Sequence, residues 1–65
     1  NVRVEVYDIR GRRMALLADR DFAPGEHGLV WAGRDTDGGA APSGQYFFRI
    51  EAGGEVLIRK ALLLK

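Results

Sequence analysis

The sequence has no cysteine, so disulfides and thiolate metal sites are excluded. Its redox compartment stays open. Hydroxyl and imidazole groups are almost as scarce: one histidine, His27, one serine, Ser43, and one threonine, Thr36. Nucleophilic catalysis needs a nucleophile, a base and a third group to orient the base, and this set gives little to build one from. The low serine and threonine content also argues against a flexible stalk or linker. No Asn-x-Ser/Thr sequon is present. Charge of one sign is lacking as well. Ten basic and nine acidic residues give a net charge of +1 and are interspersed, unlike the clustered basic excess of a nucleic-acid footprint. No apolar run approaches the roughly 20 residues that span a bilayer. No charged-then-apolar leader opens the chain. Asn1, not Met, stands first, which reads as a mature or partial polypeptide.

What the chain does have is glycine, nine in 65 residues, together with two prolines. They fall between short apolar runs, as turns do. A chain of this length makes one domain at most, residues 1–65. Such a domain buries only about 60% of the surface its unfolded chain exposes. Small domains without disulfides commonly lean on a partner.

The runs have a period of two. Val2, Val4 and Val6 alternate with Arg3, Glu5 and Tyr7, which predicts a half-buried strand. Asp8-Ile9-Arg10-Gly11 predicts a turn, with Gly11 able to take positive φ. Residues 12–18 are ambiguous: Met14, Leu17 and Ala18 fit a helical face, but seven residues make a marginal helix. The preceding turn aims the chain back along the first strand, so a second strand is expected. Asp19 to Glu26 reads as a loop. His27, Leu29 and Trp31 alternate with Gly28, Val30 and Ala32, which predicts a third strand. Residues 33–43 form a long loop. A fourth strand is expected over Gly44 to Ala52, with Tyr46, Phe48 and Ile50 on one face and Phe47 and Arg49 on the other. Gly53-Gly54 is a two-residue hairpin signal. A fifth strand follows over Glu55 to Leu64. Val56 and Ile58 have one parity, Ala61 and Leu63 the other, which predicts a β-bulge near Arg59 or Lys60; burial on both faces is the alternative. Connections that look local favour a meander or a small sandwich. The edges of so small a sheet invite pairing with another chain.

Few residues point to chemistry. Asp35-Thr36-Asp37-Gly38 resembles a calcium loop superficially. The twelfth position from Asp35 is Tyr46 rather than Glu, so a turn held by Asp side chains is the better reading. Trp31, the only tryptophan, is read as core rather than as a ligand platform, and so are Tyr46, Phe48 and Tyr7. The paired glycines lack the Lys-Ser/Thr of a phosphate loop. No catalytic, cofactor-binding or metal-binding residue is assigned. Arg10, Arg12 and Arg13 cluster at the first turn. They read as a solvated turn or, more sharply, as a candidate partner contact.

Taken in order, three motifs resemble the FlgD Ig-like domain family. They are Tyr7-Asp8-Ile9-Arg10-Gly11-Arg12, Trp31-Ala32-Gly33-Arg34-Asp35 and Pro42-Ser43-Gly44-Gln45-Tyr46, and the resemblance extends from Val2 to Lys65. The family overlaps in pattern with the carboxy-terminal sorting domain of the type IX secretion system. The resemblance implies an all-β fold, a small antiparallel Ig-like β-sandwich of about five strands. It implies that Tyr7, Asp8, Gly11, Trp31, Gly33, Asp35, Gly44 and Tyr46 are architectural positions. It implies a non-catalytic, carboxy-terminal domain of a secreted or cell-surface protein, serving as a sorting and surface-attachment signal read by export machinery. The alternative is a structural module of a larger envelope assembly, such as a filament or a hook-cap-like scaffold. The implied location is extracellular or surface-bound after export across a bacterial envelope, with the periplasm as the other option. Two departures stand out. Ala32 occupies a position that is commonly acidic. A further strand usually precedes the Val2 position, so the sandwich as given lacks an edge that strand addition from a protein partner would fill. A third reading, a carbohydrate-binding module, rests on the aromatic residues alone.

Overall fold

The computed structural model describes residues 1–21 and 30–64. Among these residues four strands form one antiparallel sheet: β1 Val2–Asp8, β2 Arg13–Arg20, β3 Gly44–Ala52 and β4 Glu55–Leu63. The spatial order is β2-β1-β3-β4. β1 is therefore internal, and the chain crosses from one side of it to the other between β2 and β3. A meander would have kept the strands in chain order. The reason lies in β1, whose Val4, Glu5 and Val6 are all buried. A strand covered on both faces takes the interior of a sheet, and its neighbours come from either side.

Among the described residues there are four strands, where about five were expected. His27, Gly28 and Leu29 lie outside the described residues. Val30 to Ala32 are described and are not strand. Trp31 instead turns its indole Nε1 to donate to the Arg34 carbonyl, 2.9 Å away, which draws the chain into a local loop. The described residues thus form one sheet, not the two layers of a sandwich.

One face of the sheet is apolar. Val4 and Val6 on β1 lie opposite Ile50 and Phe48 on β3, and Asp8 lies opposite Tyr46. Val6, Met14, Ala41 and Tyr46 form the buried cluster, with Leu17, Trp31, Phe48 and Leu63 packed against it. Val6 is fully buried, a burial that stabilises by about 1.5 kcal/mol or more. Tyr7 falls on the other face, half-buried, which corrects its assignment to the core. The alternation of β1 places it there: any residue of Tyr7's parity points away from Val4 and Val6.

β2 and β4 are the two edges, and they differ. The β1–β2 ladder shifts register twice, between Val4 and Glu5 and between Val6 and Tyr7. Val4 faces Ala18 while Glu5 faces Leu16, leaving Leu17 extra; Val6 faces Ala15 while Tyr7 faces Arg13, leaving Met14 extra. Each bulge changes parity by one. Met14, Leu17 and Ala18 all reach the core side as a result, and this is the origin of their helix-like spacing. β4, by contrast, pairs with β3 in one unbroken register from Ala52↔Glu55 to Gly44↔Leu63. The bulge expected near Arg59 or Lys60 is absent. Glu55 to Lys60 are exposed, so neither face of that stretch had to be apolar, and the change of parity needs no extra residue.

Candidate functional site

The three motifs meet at one end of the sheet. In the first turn the Asp8 carboxylate Oδ1 accepts from the backbone N–H groups of Arg10 and Arg12, each at 2.9 Å. Gly11 closes the turn with φ +83° and donates its N–H to the Asp8 carbonyl at 3.0 Å. Arg12 adds an ion pair to Asp8 Oδ2 at 3.3 Å. The backbone N–H of Arg12, first among several donors, holds the Asp8 carboxyl below its ordinary range.

The second motif repeats this device. Asp35 Oδ1 accepts from the N–H groups of Asp37, at 3.0 Å, and Gly39, at 2.8 Å. The Asp35 backbone N–H donates to the Gly39 carbonyl, and the Gly38 N–H donates to the Asp35 carbonyl. This is the Asp-held turn expected from the sequence. Gly33 lies against the Leu63 side chain, and its carbonyl accepts from Ala41 N–H at 2.8 Å, so the loop is tied to the sheet. In the third motif the buried Tyr46 donates its hydroxyl to the Pro42 carbonyl at 2.6 Å. Its ring meets Trp31 edge-on, with centroids 4.8 Å apart, and Trp31 meets Phe48 in the same manner at 6.4 Å. Gly44, with φ 155°, opens β3 beside it.

These side chains bond to the protein's own backbone. The cleft between the turns, lined by Asp8, Ile9, Met14 and Tyr46 among others, has a volume of about 230 Å³. Ligand pockets generally begin near ~300 Å³. Among the described residues no three histidine or carboxylate side chains gather in a metal-holding group. His27 lies outside the described residues.

The other face carries a charge cluster that the sequence reading missed. Glu5 is 3% exposed. Its carboxylate takes Arg13 Nη1 at 3.2 Å, Arg49 Nη1 at 3.3 Å and Arg3 Nη2 at 3.5 Å. Arg49 continues to Glu51 at 3.3 Å. The cover over Glu5 is thin, since it comes from arginine side chains that are themselves 32–43% exposed. Burial pushes the Glu5 carboxyl up, but the Arg13 hydrogen bond and the Arg3 and Arg13 charges outweigh it and hold the group below its ordinary range. Arg3 Nε is buried without a hydrogen-bond partner, so the network is not fully satisfied. The signal available in the sequence was parity: Arg3, Glu5, Arg49 and Glu51 all take the alternation opposite to the valines.

A scan against protein-family models matched the FlgD Ig-like domain over residues 1–55. The chain belongs to the FlgD Ig-like domain family. Neither a search of curated proteins nor a search of solved structures found a significant match. In this FlgD Ig-like domain the matched stretch covers β1 to β3 and ends at the first residue of β4. By family it is an Ig-like module, which is consistent with protein–protein interaction. No described helix is long and apolar enough to cross a membrane.

Of the arginines singled out as candidate partner contacts, the FlgD Ig-like domain ties Arg12 to Asp8 and Arg13 to Glu5. Arg10 is exposed and contributes its backbone N–H to the turn. Apolar side chains on both sides of β4 are exposed: Val56 is 45% exposed, Leu57 48%, Ile58 51% and Leu62 68%.

Proposed function

We propose that this domain is a non-catalytic docking module of a secreted or cell-surface protein, acting as the secretion and sorting signal by which its parent is exported and attached to the surface. The observation that carries this reading is the use of the motif side chains. Asp8, Asp35, Trp31 and Tyr46 are engaged with the backbone of their own corner. They make a rigid form suited to recognition as a folded surface. In this reading the described sheet is one layer of an Ig-like sandwich, and the recognising partner is a protein of the export machinery. The test is a fusion of the chain to a reporter in a cell with a type IX system. Arrival of the reporter on the surface supports the reading; retention in the periplasm refutes it.

A second reading is favoured by the β4 edge, which has no further strand beside it among the described residues. Here the domain is a structural module of a larger extracellular or envelope assembly, completed by strand addition. Recovery of the parent as a monomer, with β4 amides exchanging freely with solvent, would count against it.

A further inference from the structure

We infer that β4 pairs with β4 of a second copy of this chain, antiparallel and centred on Leu57, so that the two four-stranded sheets become one. Three observations lead there.

The first is the contrast between the edges. β2 is broken by two register shifts, which is how natural edges avoid pairing. β4 is regular along its whole length and carries no proline.

The second is which backbone groups face outward. β3 and β4 are joined by a two-residue turn, Gly53-Gly54, with φ +58° and +80°. In such a hairpin the flanking pair, Ala52 and Glu55, exchanges both hydrogen bonds, and the pattern alternates from there. Glu55, Leu57, Arg59 and Ala61 thus turn their backbone groups to β3. Val56, Ile58, Lys60 and Leu62 turn theirs to the open side. The Ile58 carbonyl is accordingly capped by a side chain, Arg59 Nη1 at 3.1 Å.

The third is charge complementarity. Opposed residues in an antiparallel pair share a face, so a symmetric β4–β4 pair must centre on a residue. Centring on Leu57 sets Val56 against Ile58 twice and Glu55 against Arg59 twice. Four backbone hydrogen bonds join Val56 and Ile58 across the axis. Arg59 leaves the Ile58 carbonyl to the partner's Val56 N–H and turns to the partner's Glu55. Centring on Arg59 or Lys60 sets like charges opposite each other. Centring on Ile58 sets Leu57 against Arg59 and Val56 against Lys60. Centring on Ala61 sets Lys60 against Leu62 and Arg59 against Leu63. The segment Glu55-Val56-Leu57-Ile58-Arg59 is self-complementary in one register only.

The contact is short, so the dimer is weak and depends on salt. Its formation is separate from the sorting reading, because self-pairing is read on the isolated chain and sorting in a cell. The experiment is sedimentation equilibrium of the wild-type chain, of E55R, of R59E and of the charge-swapped double variant. The concentrations run from about 10 μM to 1 mM, the range expected of small interfaces. Both substituted positions, Glu55 and Arg59, are exposed on an edge, and circular dichroism checks that each variant folds. The expected result is a wild-type monomer–dimer equilibrium that each single variant weakens by about tenfold or more and that the double variant restores. A wild-type chain that is monomeric throughout overturns the inference, and so does a double variant no better than the singles. Ile58→Lys, which leaves the ion pairs in place, is expected to abolish the dimer as well; an unchanged dimer would place the contact elsewhere.

Discussion

Replacing Glu5 with Gln keeps the shape of the side chain and removes the charge that three guanidinium groups converge on at 3.2–3.5 Å. Breaking a fully buried ion pair by removing one partner costs about 3–5 kcal/mol. Here the arginines are 32–43% exposed and can turn to water, which lowers the figure. Three such pairs at the surface scale of ~0.2–1 kcal/mol each give roughly 2 kcal/mol in all. In a domain of this length that loss corresponds to a fall in Tm of about 8–16 °C. The pH dependence distinguishes charge from packing. The folded-state pKa of Glu5 is lowered, so its contribution is complete above the ordinary carboxylate value and is lost as pH falls through the folded value. Asp8 shifts in the same direction but is present in both proteins and cancels in the comparison. Urea titrations of wild type and E5Q should therefore differ most near pH 7 and converge as pH falls through the folded value of Glu5. A gap that keeps its size on acidification would refute an electrostatic role for Glu5.

Tyr46→Phe removes the hydroxyl donated to the Pro42 carbonyl and should cost about 1 kcal/mol, since Pro42 is exposed and its carbonyl can turn to water. Tyr46→Ala removes the ring as well, at about 3–5 kcal/mol, comparable to the whole stability of so small a domain; thermal melts separate the two. At Gly53, φ +58° suits asparagine far better than a β-branched side chain. Gly53→Asn should be close to neutral and Gly53→Val should cost about 1–2 kcal/mol in the same melts; equal costs would argue against the hairpin conformation. Asp35→Ala removes the acceptor for two backbone N–H groups and should cost ~0.5–2 kcal/mol, with Asp35→Asn losing less. Trp31, the sole tryptophan, donates to the neighbouring Arg34 carbonyl, so its fluorescence should report the loosened loop in the alanine variant and not in the asparagine variant.

Elements set by local signals were legible in the sequence. β1, β3, the Gly53-Gly54 hairpin and the Asp8 and Asp35 turns fall where alternation and turn chemistry put them, because each is decided within a few residues. β2 was ambiguous for a physical reason: two bulges place Met14, Leu17 and Ala18 on one face, and that spacing imitates a helix. The strand order was not legible, since which neighbours flank β1 depends on contacts between distant segments. Strict alternation in β4 was misread as a bulge on the assumption that every strand has one face to bury, and an exposed edge does not. Val30 to Ala32 alternate like a strand, but Trp31 is held by a loop carbonyl. The Asp8 and Asp35 turns of the motif corner follow from local turn chemistry, whereas Tyr7 faces away from the core and Trp31 sits in a loop. The Glu5 cluster was not legible, because its members come from β1, β2 and β3 and only the register brings them together.

The two bulges of β2 also set a limit on assembly. A sheet with two open edges can add copies at both and grow without end, as fibres do. This sheet has one edge whose hydrogen-bonding groups are out of step with any straight strand, and one that is in step. Its valence for strand pairing is one. Whatever joins β4, a second copy or a foreign strand, ends the series, and a short exposed apolar strand is kept from seeding a filament by irregularities three strand spacings away.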